Sequence, residues 1–199
     1  VSLLQEEVES LREQLKSLEE DNKKWRQLAG NDSLTGLHNK VMLFRVVLPK
    51  VMKKFDGAGG YSCIAIGLDH LHKVNMQHGW SMGDRMLREA SRGLRSILDE
   101  GDELYRLDGA NFVLFGAMPN NVARMRAADI RRRLAKASVN INKVQLPLIS
   151  SIGVVTVERT GKSSPAEASE AMFQALLSVL YRAKESGGNT VETHSATHF

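Results

Sequence analysis

Apolar residues in the first thirty positions are spaced alternately three and four residues apart, which is the heptad repeat of a coiled coil. The repeat predicts one long helix over residues 1–30, and valine followed by leucine at successive core positions favours two parallel strands. A core asparagine would hydrogen-bond to the same asparagine of the partner helix and so fix the register of the two helices. An amphipathic helix lying on its own domain is the alternative. We expect dimerisation through Val8, Leu11, Leu15, Leu18, Asn22 and Trp25.

The rest of the chain alternates short apolar runs with longer amphipathic stretches. Helices of ten or more residues between strands predict an α/β fold of the α+β sandwich type, with a central mixed sheet flanked by helices. Pro49 is expected to bend or split the first helix, and Ser81 is expected to cap a later one. The predicted helices are 40–54, 71–78, 81–98, 122–137 and 165–186, and the predicted strands, apart from a hairpin, are 61–68, 149–157 and 190–192.

Residues 103–116 are predicted to form that hairpin. The turn is the dipeptide Asp108-Gly109, the strongest short-range signal for two strands joined by a tight connection. The residues around the turn are apolar or carry an amide. The tip of the hairpin is expected to consist of Asp108, Gly109, Ala110, Asn111 and Phe112.

The composition of the 199 residues is typical of a globular protein, with 42% hydrophobic and 25% charged residues. No apolar run approaches the ~18 residues that a membrane span requires, so we expect no membrane insertion of this fragment. The single cysteine, Cys63, lies in an apolar stretch and is expected to be a buried thiol in a reducing compartment. The chain begins at Val1 without a charged and then apolar leader, which predicts a cytoplasmic fragment of a longer protein.

The formal net charge of +4 is modest, but one predicted helix, 122–137, carries a group of cations. Clustered cations can contact nucleic-acid phosphates. No aromatic residues lie between these cations, and the helix has an apolar face of its own, so we interpret them as a solvated face and expect no nucleic-acid partner. The histidines lack metal-ligand spacing with acidic or cysteine support, and we expect no metal site. The cations are Arg124, Arg126, Arg131, Arg132, Arg133 and Lys136, and the histidines are His70, His72, His78, His194 and His198.

Several stretches of residues 32–192 resemble motifs of the GGDEF family of diguanylate cyclases, which condense two GTP molecules to cyclic di-GMP. The order of the predicted elements is similar as well. The resemblance implies a coiled-coil helix over 1–30, a GGDEF domain over 31–192 and a flexible tail over 193–199. In chain order the similar stretches are Asp32-Ser33-Leu34-Thr35-Gly36-Leu37-His38-Asn39-Lys40, Asp69-His70, Asn75, Gly79, Gly83-Asp84, and Leu180-Tyr181-Arg182-Ala183-Lys184 with Gly187 and Asn189.

The resemblance implies Mg²⁺ chemistry, because an active cyclase uses divalent cations to neutralise the triphosphate and to help activate a ribose hydroxyl. The family motif Gly-Gly-Asp/Glu-Glu-Phe is matched by residues 108–112, in which the two acidic positions are Ala110 and Asn111. A further metal-binding carboxylate of the family is matched by Gly67. With three carboxylates replaced, we expect an inactive cyclase that holds no metal and uses no cofactor.

The family's guanine-binding residues are matched by Asn75 and Asp84, and Lys184 matches a phosphate contact. The resemblance therefore implies weak GTP binding at these three residues. The alternative is structural: Asp84 would cap the long helix and Asn75 would end the short one. The family's product-binding motif Arg-x-x-Asp is matched by Asp99 and Asp102, so its arginine is replaced and we expect no product sensing.

These observations predict a catalytically inactive cyclase-like domain that acts as a dimeric signalling and protein-interaction module in cyclic-di-GMP-related signalling. The sequence does not identify the protein partner. Two alternatives stay open. One is a GTP sensor. The other is a residual cyclase, either with a metal pair displaced to Asp69 and Asp108 or as half of a heterodimer with an intact cyclase.

Overall fold

The computed structural model describes residues 2–54, 60–141, 144–157 and 163–196. Within these ranges some side chains lie outside the described part, namely those of residues 2–4, 6, 20–29, 54, 141, 144 and 195–196. The chain divides into two compact units between Asn31 and Asp32. This division falls one residue after the predicted boundary.

The first unit is a single helix, α1, over Ser2–Gly30. Four apolar side chains at the predicted core positions of its heptads are 45–63% exposed: Val8, Leu11, Leu15 and Leu18. A row of exposed apolar side chains at this spacing is typical of a helix that pairs with another helix. The predictions for Asn22 and Trp25 fall on side chains outside the described part. No helix within the described ranges is both long and apolar enough to cross a bilayer.

The second unit is built around a mixed sheet. The described strands are β1 (His38–Asn39), β2 (Tyr61–Leu68), β3 (Glu103–Arg106), β4 (Asn111–Gly116), β5 (Ser138–Ile141), β6 (Val144–Pro147), β7 (Ser150–Val157) and β8 (Val191–Ala196). Six of them form one sheet in the order β1-β3-β4-β2-β7-β8, and β5 pairs with β6 in a separate hairpin. The inner strands pair antiparallel, whereas β1 with β3 and β7 with β8 pair in parallel. Strand β2 therefore has a hydrogen-bonded neighbour on both sides.

Helices cover both faces of this sheet. They are a π-helical segment (Met42–Val47) that continues into α2 (Leu48–Lys54), then α3 (Leu71–His78), α4 (Trp80–Arg95), α5 (Asn120–Lys136) and α6 (Pro165–Glu185). The π-helical segment ends where the backbone N–H of Leu48 donates to the carbonyl of Leu43. Pro49 follows directly, and because proline has no N–H to continue the ladder, the predicted disruption of this helix is found here.

Strand β2 separates the core into two layers because alternate side chains of a strand point to opposite faces. Ile64 and Ile66 pack in the cluster that includes α3, α4 and α5. Cys63 and Ala65 pack in the cluster that includes α2 and α6. All four residues are fully buried, and burial raises the pKa of the Cys63 thiol above its ordinary value. The prediction of a buried cysteine is confirmed.

Helix α6 lies unusually close to β7. It begins with a capping box, in which the Ser164 side chain accepts from the N–H of Glu167 and the Glu167 side chain accepts from the N–H of Ser164. A β-carbon at Gly153 would lie only 2.8 Å from the backbone nitrogen of Leu180. Because glycine allows this approach, the C-terminal half of α6 packs against the sheet, and Lys184, in the last turn of the helix, lies at the end of β2.

Three predictions about local structure are wrong. Helix α4 begins after Gly79, whose φ is 85°, and has no side-chain cap, so Ser81 lies inside the helix and does not cap it. The sequence pattern predicts no strand where β5 and β6 form their hairpin, because Pro147 and the polar residues of this stretch give a weak strand signal. The tail predicted from residue 193 begins too early, because Thr193–Ala196 continue the pairing of β8 with β7.

Candidate functional site

The hairpin between β3 and β4 has the predicted tight turn. The N–H of Asn111 donates to the carbonyl of Asp108 at 2.8 Å, and the N–H of Leu107 donates to the carbonyl of Asn111 at 2.9 Å. Gly109 has φ of 46°, a left-handed value that glycine adopts without a steric penalty. The Asp-Gly signal therefore placed the turn to within one residue, since its central residues are Gly109 and Ala110, and the turn brings Asn111 to the end of the sheet.

The three positions at which the sequence lacks the expected carboxylates lie together. Gly67 is the residue before the last of β2, and it pairs with Asn111 of β4 on one side and with Ser151 of β7 on the other. The N–H of Leu68 donates to the carbonyl of Ala110 at 3.0 Å. The sheet register thus brings residues far apart in sequence to one place. We call the group of Gly67, Ala110, Asn111 and Lys184 the strand-end site.

Lys184 reaches this site from α6. Its Nζ donates to Oδ1 of Asn111 at 3.1 Å. A β-carbon built on Gly67 would lie 2.7 Å from Cε and 2.8 Å from Nζ of Lys184, so the ammonium group occupies the space of a side chain at position 67. Partial burial lowers the pKa of Lys184, while the carboxylates of Asp69 and Asp108 act in the opposite direction.

The amide of Asn111 connects this ammonium to the turn. Its Nδ2 donates to Oδ1 of Asp108 at 3.2 Å, and the other carboxylate oxygen of Asp108 lies 3.6 Å from Nζ of Lys40. The side chains of Lys40 and Asp108 are half exposed, so this ion pair adds little stability by itself. The result is a continuous polar chain from Lys40 through Asp108 and Asn111 to Lys184.

Asp69, which follows β2, is fully engaged with its surroundings. Its two carboxylate oxygens accept from the hydroxyl of Ser151 at 2.9 and 3.0 Å, and Oδ2 also accepts from the N–H of Asn189 at 2.8 Å. Nη1 of Arg131 donates to both the carbonyl and the side-chain oxygen of Asn189 at 3.0 Å. Asp69 therefore holds the loop after α6 in place through its hydrogen bond with Asn189. The contribution of Ser151 was not predicted, because a serine in a buried strand gives no signal of its partner.

Arg106, at the end of β3, is a buried cation that the sequence analysis missed. It is only 5% exposed, its Nη2 donates to the carbonyl of Gly109, and its Cζ lies 4.9 Å from the ring centre of Phe112. Burial lowers the pKa of Arg106, and the nearby carboxylates, of which Asp32 acts most strongly, oppose this shift. The guanidinium supports the hairpin turn from beneath. A charged residue at a strand end gives no sequence signal of burial.

The two residues matched to guanine recognition lie on neighbouring helices. Oδ1 of Asn75, in α3, is buried and has no hydrogen-bond partner in the protein. A β-carbon on Gly83 would lie 1.9 Å from that oxygen, so glycine is required there to make room for the amide. Asp84, in α4, does not cap the helix, because Gly79 holds the N-cap position. The backbone carbonyl of Asn75 does accept from the N–H of Gly79 at the end of α3, as the structural alternative expected.

Asp99 and Asp102, the residues matched to the product-binding motif, both form ion pairs with an arginine of α5. Arg126 forms ion pairs with Asp102 at 2.6 Å and with Asp99 at 3.2 Å, and it donates to the carbonyl of Ile97 at 3.2 Å. The side chain of Asp102 is 6% exposed. The prediction that Arg126 belongs to a solvated basic face is therefore wrong for this residue, because it turns toward the sheet and neutralises a buried carboxylate.

The comparisons with known proteins identify the family. Residues 29–190 match the family described as diguanylate cyclase, GGDEF domain, and the chain belongs to it. Diguanylate cyclase DgcP of Pseudomonas aeruginosa is 28% identical over 193 residues, which are 93% of this chain and 28% of that protein. Diguanylate cyclase DgcM of Escherichia coli is 33% identical over 165 residues, 82% of this chain and 38% of that protein. The chain thus spans about a third of the length of these relatives.

Solved structures agree on the fold. The structure of diguanylate cyclase SiaD of Pseudomonas aeruginosa, in complex with its activator SiaC, matches this chain with a TM-score of 0.75 at 24% identity. The match covers 95% of this chain and 71% of the SiaD chain. The structure of the coiled coil and GGDEF domain of DgcB from Caulobacter crescentus, in complex with c-di-GMP, matches with a TM-score of 0.72 at 20% identity. This match covers 96% of this chain and 99% of the DgcB chain. The predicted family and the predicted fold, a mixed sheet flanked by helices, are confirmed.

The magnesium that this family implies does not fit the residues present. Mg²⁺ binds oxygen ligands and usually needs carboxylates, but the three matched positions offer a single side-chain oxygen, that of Asn111, which already accepts from Lys184. Across the described ranges, no group of three or more His, Cys, Asp or Glu side chains is arranged to hold a metal ion.

The buried ion pair of Arg126 gives a stability prediction. Replacing Arg126 with methionine leaves the carboxylate of Asp102 buried without a cation, and we expect a loss of about 3 kcal/mol in the free energy of unfolding, measured by urea denaturation. The matched control is Arg132→Met on the same helix, where the exposed pair with Asp129 should be worth less than about 1 kcal/mol. Equal losses in the two variants would show that Asp102 does not depend on Arg126.

Proposed function

We propose that this chain is a GGDEF domain that does not condense GTP and acts in the cytoplasm as a dimeric module for signalling and protein interaction in cyclic-di-GMP-related signalling. The observation that carries the proposal is the strand-end site, where glycine, alanine and asparagine stand at the three positions matched to carboxylates and the ammonium of Lys184 fills the space beside Gly67.

The chemistry of the reaction supports the absence of turnover. Joining two nucleoside triphosphates requires a ribose hydroxyl to be activated as the nucleophile, with pyrophosphate as the leaving group, and the developing phosphate charge to be neutralised. Bound divalent ions would supply the activation and the neutralisation. Removing one preorganised electrostatic contact costs on the order of a hundred- to a thousandfold in rate. The two remaining carboxylates near the site are already engaged, Asp69 by Ser151 and a backbone N–H, and Asp108 by Asn111 and Lys40.

We expect no cyclic di-GMP when the chain is incubated with GTP and Mg²⁺, and a rate below about a thousandth of that of an intact cyclase. Chromatography of the reaction mixture measures the product, with diguanylate cyclase DgcM of Escherichia coli as the positive control. A cyclic product that forms with the wild-type chain and disappears in the Asp108→Ala variant would overturn the proposal and favour a displaced catalytic site.

The exposed apolar row of α1 supports the dimeric part of the proposal. Side chains such as Leu11 and Leu15 lose contact with water when two helices pair, and each buried leucine stabilises the pair by roughly 1.5–3 kcal/mol. A role in protein interaction is in keeping with the structure of diguanylate cyclase SiaD, which is in complex with its activator SiaC. The hairpin tip, with Asp108 and Gly109 at the turn, is the surface that we propose for docking.

The dimer can be tested by light scattering on the full chain. We expect a dimeric mass for the wild type and a monomeric mass for the double variant Leu11→Asp/Leu18→Asp, because two carboxylates would have to be buried in the seam. Ser10→Asp/Ser17→Asp places the same two charges outside the predicted seam and should leave the dimer intact. A monomeric wild type at high concentration would count against the coiled coil.

A guanine-nucleotide sensor is the second candidate function. The observation that favours it is the buried, unpartnered Oδ1 of Asn75 beside Gly83, with the carboxylate of Asp84 on the next residue. An amide and a carboxylate can together bond to the carbonyl, ring N–H and amino group of guanine. The triphosphate would meet few positive charges, so weak binding is expected.

Calorimetry with GTP distinguishes the sensor from the first proposal. If the sensor is correct, binding heat appears at millimolar GTP, and Asp84→Ala weakens binding at least tenfold, or about 1.4 kcal/mol, because a charge-assisted hydrogen bond is lost. Glu89→Ala removes a carboxylate from the same helix away from Asn75 and should bind GTP as the wild type does. The absence of heat from the wild-type chain would eliminate the sensor.

A further inference from the structure

The strand-end site contains a cation of its own. The ammonium of Lys184 lies 3.1 Å from Oδ1 of Asn111, and the carboxylates of Asp69 and Asp108 both act on its charge. Carboxylate and amide oxygens are the ligand types that hard divalent cations prefer in proteins. In this chain, the amide oxygen of Asn111 accepts from a side-chain ammonium, and two carboxylates lie near enough to act on its charge.

The position of the ammonium depends on Gly67. Any β-carbon there would lie within 2.8 Å of both Cε and Nζ of Lys184, so a residue with a side chain would push the lysine away from Asn111. Glycine at position 67 thus has two effects at once, because it removes a carboxylate ligand and opens the space into which the lysine extends.

We propose that Lys184 is the resident cation of this site, where its ammonium stands in for a divalent ion, holds the hairpin turn through Asn111 and excludes Mg²⁺ and Mn²⁺. The inference rests on the proposed function for the identity of the site. The inference concerns which cation occupies the site, whereas the proposed function concerns turnover, so either one can fail without the other.

Two consequences follow from ordinary electrostatics. A divalent ion entering the site would be repelled by the ammonium at close range. Removing the ammonium would leave Oδ1 of Asn111 without its donor and would remove a positive charge that acts on Asp69 and Asp108. The site should therefore gain affinity for a hard divalent ion when Lys184 is replaced by a neutral side chain.

The test is titration of the full chain with Mn²⁺ alone, without nucleotide, followed by the loss of the electron paramagnetic resonance signal of the free ion. We expect Lys184→Met to bind Mn²⁺ at least tenfold more tightly than the wild type, and the double variant Lys184→Met/Asp108→Asn to lose this gain. Lys136→Met, which removes one positive charge from an exposed site on α5, is the matched control and should bind as the wild type does. Equal Mn²⁺ binding by the wild type and Lys184→Met would overturn the proposal.

A second measurement covers the case in which Lys184→Met fails to fold. A β-carbon at position 67 would lie 2.7 Å from Cε of Lys184 and 2.9 Å from Oδ1 of Asn111, so Gly67→Ala should displace the ends of both side chains, and circular dichroism should show a folded chain. The ε-methylene signals of Lys184 in a carbon-proton correlation spectrum are expected to shift in Gly67→Ala and to stay unchanged in Lys136→Met. Unchanged Lys184 signals in Gly67→Ala would show that the ammonium is not seated beside Gly67.

Discussion

The pairing of β2 with β4 on one side and β7 on the other is the constraint on which the site depends. The ladder with β4 runs from Ser62 opposite Gly116 to Gly67 opposite Asn111, and both faces of the strand are buried. A shift of one residue would turn the buried side chains of β2 to the wrong layer. Because the register is held in this way, Gly67, the hairpin turn and Asp69 meet at one end of the sheet.

The charges around that end are balanced by groups of the chain itself. Lys184 lies beside Asn111, Lys40 beside Asp108, and Arg106 beneath the turn. At the opposite end of β4, a β-carbon at Gly116 would lie 2.6 Å from Oδ1 of Asp102, and Arg126 neutralises this carboxylate. Buried and half-buried carboxylates need cationic partners, and here lysine and arginine side chains provide them. This internal neutralisation is the physical basis for proposing a domain that works through its surface and not through turnover.

The elements that were predicted correctly are those whose signals are local. Strand β2 is a continuous apolar run, the turn at Asp108-Gly109 follows from backbone preferences, and α6 has a capping box at Ser164. The elements that were missed depend on distant partners. Strand β1 has only two residues and exists because β3 lies beside it, β5 and β6 stabilise each other, and the end of β8 is ordered by β7. Local pattern cannot report a partner that lies elsewhere in the chain.

The sequence alone determined the family resemblance, the order of the main elements and the residue types at the expected metal positions, because each of these depends on short motifs with fixed spacing. Only the tertiary structure decided what replaces the missing carboxylates. The contact between Lys184 and Asn111 joins residues 73 positions apart, and that between Asp69 and Asn189 joins residues 120 apart. Such contacts arise when the sheet register and the close approach of α6 at Gly153 bring the chain together, and no periodicity in the sequence encodes them.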